Sequence, residues 1–162
     1  MATPAPFLLV EDTQDDVILI RRAFEKAKIT NPLHVVSTGE EAILYFRGEG
    51  CYANRDEFPL PALVLLDLKL PVKDGFEVLG WIRSQPTLRA LRVVVLTSSE
   101  RFEDLDRACR LGSNSILVKP LEFSRLVEVM EALKGYWMSL SATPMVHRPP
   151  RTAPGDLPGT AL

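Results

Sequence analysis

Three short runs of unbroken apolar residues, Phe7-Leu8-Leu9-Val10, Ala62-Leu63-Val64-Leu65-Leu66 and Val93-Val94-Val95-Leu96, constrain this chain more than any other feature. A strand with one wet face alternates apolar and polar residues. An unbroken run must be covered on both faces, as in a parallel sheet flanked by helices. Two further runs, Leu33-His34-Val35-Val36 and Ile116-Leu117-Val118, complete a set of strands. The residues between them carry helical spacing. Ile20, Ala23, Phe24 and Ala27 predict a helix over about residues 15–28, opened by a capping-box-like Thr13 and Asp16 and stopped by Asn31-Pro32. Ser37 or Thr38 caps a second helix reaching about Arg47. Phe76, Leu79 and Ile82 follow the Asp74-Gly75 turn, and a helix from about Glu103 ends at Gly112. Leu126, Val127, Met130 and Leu133 mark a final amphipathic helix. Strand followed by helix, repeated along the chain, predicts an α/β, doubly wound parallel sheet with helices on both faces.

At 162 residues the chain holds one well-buried domain rather than two. Residues 6–137 are assigned to it and residues 1–5 to an N-terminal extension. Five of the thirteen prolines fall within residues 138–162. That composition buries too little apolar surface to offset its ordering entropy, so a disordered tail is expected there. A net charge of −2 gives no reason to expect a nucleic-acid surface, which needs clustered Lys and Arg. No stretch approaches the roughly 20 apolar residues that span a bilayer, and the first residues lack the basic and apolar regions of a signal peptide, so a cytoplasmic protein with no membrane partner is expected. Cys51 and Cys109 form no CxxC pair and no zinc spacing with His34 or His147, which favours two reduced thiols. The connection over residues 48–61 is unusually long and hints at an interaction surface.

In such sheets ligands gather beyond the carboxyl ends of the strands. Here those ends deliver Glu11-Asp12, Asp67, Thr97 and Lys119. If the first and third strands are neighbours, three carboxylates converge and repel one another, and a hard cation resolves the conflict. Mg²⁺ suits the position because it accepts carboxylate oxygens and leaves room for a substrate phosphate. Asp67 then becomes a candidate nucleophile toward phosphorus, Lys119 neutralises a phosphoryl oxygen and the Thr97 hydroxyl hydrogen-bonds another.

These motifs, Leu-Val-Glu11-Asp12, Val-Leu-Leu-Asp67-Leu-Lys69-Leu-Pro71, Asp74-Gly75, Leu96-Thr97-Ser98 and Val118-Lys119-Pro120, together resemble the receiver domain of two-component response regulators. The resemblance implies a five-stranded flavodoxin-like sheet in order 2-1-3-4-5. In that order strands one and three lie side by side, as the convergence of carboxylates requires. It implies Asp67 as phosphoacceptor, a Mg²⁺ site formed by Asp12, Asp67 and the Lys69 backbone carbonyl, and Glu11 assisting through water. It also implies a cis bond between Lys119 and Pro120, self-phosphorylation from small phosphodonors and slow autodephosphorylation. A histidine kinase supplies the phosphoryl group to such a domain. With no effector domain after the last helix, the expected output is a protein contact, a homodimer or onward phosphotransfer. The long loop and the motif wording are similar to regulators of phytochrome-type kinases.

One position departs from the family's habit. Receivers commonly carry Tyr or Phe three residues before the lysine, where this chain has Ile116. Two rival readings are weaker. A phosphatase of the haloacid dehalogenase type needs an acid two residues after its Asp nucleophile, where Lys69 stands. A receiver-like module that no longer takes phosphate would be expected to lose Asp12, Asp67 or Lys119, all of which are present.

Overall fold

A computed structural model describes the backbone of residues 4–142 and the side chains of residues 4–136. The order of elements is β1 (Phe7–Val10), α1 (Gln14–Lys26), β2 (Leu33–Val36), α2 (Gly39–Arg47), a 3₁₀ turn (Gly50–Tyr52), β3 (Leu63–Leu66), α3 (Gly75–Ser84), β4 (Val93–Thr97), α4 (Phe102–Arg110), β5 (Ser115–Val118) and α5 (Phe123–Ala142). The five strands pair in parallel in the order β2-β1-β3-β4-β5. This is the anticipated arrangement, with β1 beside β3.

The unbroken apolar runs are used on both faces. Leu8, Val10, Val64, Leu66, Val93 and Val95 point to one core, closed by α2 and α3 through Tyr45, Phe46, Leu79 and Ile82. Phe7, Leu9, Leu63, Leu65, Val94 and Leu96 point to the other, closed by α1 and α5 through Ile20, Phe24, Leu126 and Met130. Adjacent strand residues thus enter different cores, as the two-residue strand period demands.

Helix ends differ from the sequence reading in informative ways. Helix α1 stops before Asn31-Pro32 because Lys28 takes a left-handed backbone (φ 58°) and the Ile29 N–H returns to the Phe24 carbonyl at 3.1 Å. This is a Schellman-type ending, here built on lysine rather than glycine. Thr13 occupies the N-cap position without a side-chain capping bond, so the expected capping box does not form. Helix α2 is capped as proposed, with Thr38 Oγ1 accepting the Glu41 N–H at 3.0 Å. Gly112 has φ 95°, consistent with its reading as a helix stop. Helix α5 continues through Ala142, so residues 138–142 of the anticipated tail belong to it; residues 143–162 lie outside the described part of the chain.

The connection between α2 and β3 is a packed structure. Arg55 donates to the carbonyls of Tyr45 (2.7 Å), Phe46 (2.6 Å) and Phe58 (3.1 Å), tying the last turn of α2 to the loop that follows it. Tyr45, Tyr52, Phe58 and His34 pack ring against ring beneath it. The Tyr45 hydroxyl donates to the Pro59 carbonyl at 2.9 Å. It must therefore accept from His34 Nδ1 at 2.8 Å, which assigns the Nδ1–H tautomer. Burial pushes Tyr45 up to about 12 and lowers the pKa of His34.

Candidate functional site

At the carboxyl rim the sheet continues for one more rung beyond its strands. The Glu11 N–H reaches the Val36 carbonyl at 3.0 Å, the Asp67 N–H reaches Val10 at 3.1 Å and the Lys119 N–H reaches Thr97 at 2.7 Å. Glu11, Asp67, Thr97 and Lys119 are therefore mounted on hydrogen-bonded backbone. The order of the strands brings Glu11, Asp12 and Asp67 together, with one oxygen of each lying within 4.8 Å of the others.

Helix α3 locks this rim from below. Asp74 Oδ1 accepts the Glu77 N–H at 2.9 Å as the helix cap, and the Gly75 N–H donates to the Leu68 carbonyl at 3.0 Å. A Cβ at position 75 would lie 2.2 Å from the Asp67 carbonyl oxygen and 2.6 Å from Leu68 Cα. Asp74-Gly75, read from sequence as a turn, is thus a cap followed by a close approach that only glycine permits. Val72, nearby in the same loop, holds a left-handed backbone (φ 64°) and is exposed. A β-branched residue in that conformation is strained by on the order of 1–3 kcal/mol.

Asp67 is 5 % exposed. Its Oδ1 accepts the Lys69 N–H at 3.1 Å and its Oδ2 accepts from Lys119 Nζ at 3.2 Å. The ammonium also donates to Glu11 Oε2 at 2.5 Å and to Asp16 Oδ2 at 3.1 Å, so its three protons meet three carboxylates. Burial works to lower the pKa of Lys119, but the hydrogen bond to Glu11 and the charges of Asp67 and Glu11, with Asp16 added, hold it above its ordinary value. Glu11 is 1 % exposed and is pushed up to about 7 by burial, against the lowering effect of Lys119 and with a further rise from Asp67.

Carboxylates crowded this closely and partly desolvated form an oxygen-rich site that suits a hard divalent cation. Asp12 is exposed at the open side of the group. Lys69 also has an exposed side chain, so any part it plays in the group falls to its backbone.

Thr97 is fully buried at the end of β4. Its Oγ1 is turned to its own loop and accepts the Ser99 N–H at 3.1 Å. Ser99 Oγ donates to Asp104 Oδ2 at 2.6 Å and accepts the Arg101 N–H at 3.3 Å, bracing the start of α4. Ile116 is half-buried against the core on the α3 side. The bond between Lys119 and Pro120 is trans, since no cis peptide occurs among the described residues. This corrects the expectation drawn from the family. Trans is intrinsically favoured by roughly 0.5–1 kcal/mol before proline, and in that form Lys119 already joins Thr97 through its backbone and the acids through its ammonium.

Sequence reading brings together Glu11, Asp12, Asp67, Thr97 and Lys119, and all five lie at this rim. It misses Asp16 as a partner of Lys119. The available signal, an acid one helical turn beyond Glu11-Asp12, reads equally well as helix capping.

The chain belongs to the response regulator receiver domain family, whose pattern it matches over residues 7–131. It is 43 % identical over 142 residues to the probable methanogenesis regulatory protein FilR2 of Methanothrix harundinacea (strain 6Ac), covering 87 % of this chain and 88 % of that protein. Against the response regulator Rcp1 of Synechocystis it is 33 % identical over 141 residues, covering 87 % and 94 %. The phosphorylated cyanobacterial phytochrome response regulator RcpA superposes with a TM-score of 0.77 at 38 % identity, covering 85 % of this chain and 96 % of that one. The Mn²⁺-bound form of Rcp1 superposes at 0.75 with 34 % identity, covering 83 % and 94 %. The protein is therefore a response regulator receiver, a signalling switch of the two-component class, and its acidic rim is of the kind that takes a divalent metal. No helix among the described residues is long and apolar enough to cross a membrane.

Proposed function

We propose that Asp67 accepts a phosphoryl group from a histidine kinase and that the modified domain signals through a changed protein contact. The observation that carries this reading is the convergence of Glu11, Asp12 and Asp67 within 4.8 Å, with Lys119 Nζ 3.2 Å from Asp67. In the transfer, an Asp67 carboxylate oxygen forms a bond to phosphorus as the bond from phosphorus to the donor breaks, and the donor leaves with that electron pair. Lys119, already charged and desolvated beside Asp67, neutralises a phosphoryl oxygen. The Thr97 hydroxyl turns from Ser99 to hydrogen-bond another. Asp12, Asp67 and the Lys69 carbonyl would hold Mg²⁺, with Glu11 assisting through water, and the bound ion would supply electrostatic stabilisation of the transferring group.

The same groups support self-phosphorylation from small phosphodonors and slow autodephosphorylation. Likeness to the phytochrome response regulator RcpA favours a phytochrome-type kinase as the source, and a cytoplasmic location belongs to the same proposal. Homodimer formation is a further output reading, tested by sizing before and after phosphorylation. Incubation with Mg²⁺ and acetyl phosphate, followed by intact-mass and peptide analysis, should reveal one added phosphoryl group on Asp67. The label should disappear in Asp67→Asn and without Mg²⁺. Labelling at another residue, or none in the wild type, would overturn the proposal.

A further inference from the structure

Lys119 is served by one more acid than the phosphoryl-transfer scheme uses. Of its three partners, Glu11 and Asp67 belong to the group with metal-ligating spacing, while Asp16 lies outside it. Asp16 sits in the first turn of α1 and retains 37 % side-chain exposure. Its helix is pinned to the core by the neighbouring Val17 and by Ile20. The Lys119 side chain is only 13 % exposed, so water cannot readily replace a lost carboxylate.

Resting on the proposed cation and phosphoryl site, we infer that Asp16 is a positioning residue that retains the Lys119 ammonium when Glu11 and Asp67 turn to a divalent cation. Lys119 and the cation compete for two of the same carboxylates. With only those two partners, the ammonium would lose its compensation as the cation enters, and cation binding would be weakened accordingly. Asp16 removes this conflict. It keeps Lys119 charged, fixed and within reach of Asp67 at the stage when a phosphoryl oxygen must be met. This assigns Asp16 a part in tuning cation affinity without direct contact with the cation.

Titration calorimetry with Mg²⁺ alone, with no phosphodonor, tests the inference. Asp16→Asn should weaken Mg²⁺ binding about three- to fivefold, a size in keeping with a partly exposed ion pair. Asp15→Asn, which removes an exposed charge from the same helical turn, should stay within about twofold of wild type. Asp16→Glu should recover most of the loss. In a Lys119→Met background, Asp16→Asn should have no further effect, because the coupling runs through Lys119. An unchanged affinity in Asp16→Asn overturns the inference, as does an equal loss in the Lys119→Met background, which would mean Asp16 acts directly on the cation. A wild type that fails to bind Mg²⁺ overturns both this inference and the cation reading. A wild type that binds Mg²⁺ and takes no phosphoryl group overturns the proposed function alone.

Discussion

At the carboxyl rim Lys119 is shared among three carboxylates, whereas in the loop between α2 and β3 Arg55 donates to three backbone carbonyls. Both arrangements satisfy a half-buried cation with oxygen. Carbonyls neither titrate nor swing away, so Arg55 works as a permanent brace on the end of α2. Carboxylates can be protonated, turned to a metal or consumed by chemistry, so the partners of Lys119 are exchangeable. A receiver needs both kinds of construction: an invariant frame on one side of the sheet and a redistributable set of charges at its mouth.

Five substitutions probe this division. The brace should fail most severely in Arg55→Ala, which strips the Tyr45, Phe46 and Phe58 carbonyls of their guanidinium donor and should cost about 2–4 kcal/mol of stability by urea denaturation. Labelling of Asp67 should persist in the folded fraction, and its loss there would join the two regions. Gly75→Ala comes next. Its methyl group would displace the Asp67 carbonyl, so it should cost about 1–3 kcal/mol and also slow phosphoryl uptake, which the initial rate with acetyl phosphate would measure.

Tyr45→Phe should cost about 1–2 kcal/mol in a chemical melt, because it strips His34 Nδ1 and the Pro59 carbonyl of their shared partner. Its effect on phosphoryl uptake should be negligible. The smallest effect is the pH response of the loop. Burial depresses the pKa of His34 from 6.5, so its contribution to stability is present above about pH 6.5 and is lost as pH falls and the unfolded chain takes up a proton. His34→Asn, which keeps an N–H for Tyr45, should flatten that part of the pH–stability curve. Glu11 acts with the opposite sign. Raised to about 7, it favours the fold below its ordinary value of 4.5, and that stabilisation is lost as pH rises through about 7. Following stability against pH in Glu11→Gln and His34→Asn separates the two responses.

Much of the frame is legible because a strand covered on both faces has no room for polar residues. The runs at Phe7–Val10 and Leu63–Leu66 therefore announce themselves without any knowledge of their neighbours. The site is legible because a parallel sheet sends all its carboxyl ends to one edge, so the residues following each run have to meet there. Local geometry is less transparent. The α1 ending uses a left-handed lysine where glycine is commoner, and at the other end the Thr13 N–H goes to Glu11 while Asp16, the acid expected to take it, pairs with Lys119.

The sequence by itself thus determined the layers and the candidate set of Glu11, Asp12, Asp67, Thr97 and Lys119, which follow from periodicity and from residues adjacent to strand ends, while the strand order came from the resemblance to the receiver family. Tertiary structure alone decided how those groups are partnered. It placed Asp16 against a lysine on β5's far end, set Gly75 beneath the Asp67 carbonyl, turned the Thr97 hydroxyl toward Ser99 and kept Lys119-Pro120 trans. The physical reason is range. Burial patterns are written locally along the chain, but which oxygen a buried ammonium takes depends on every charge brought within a few ångströms by folding.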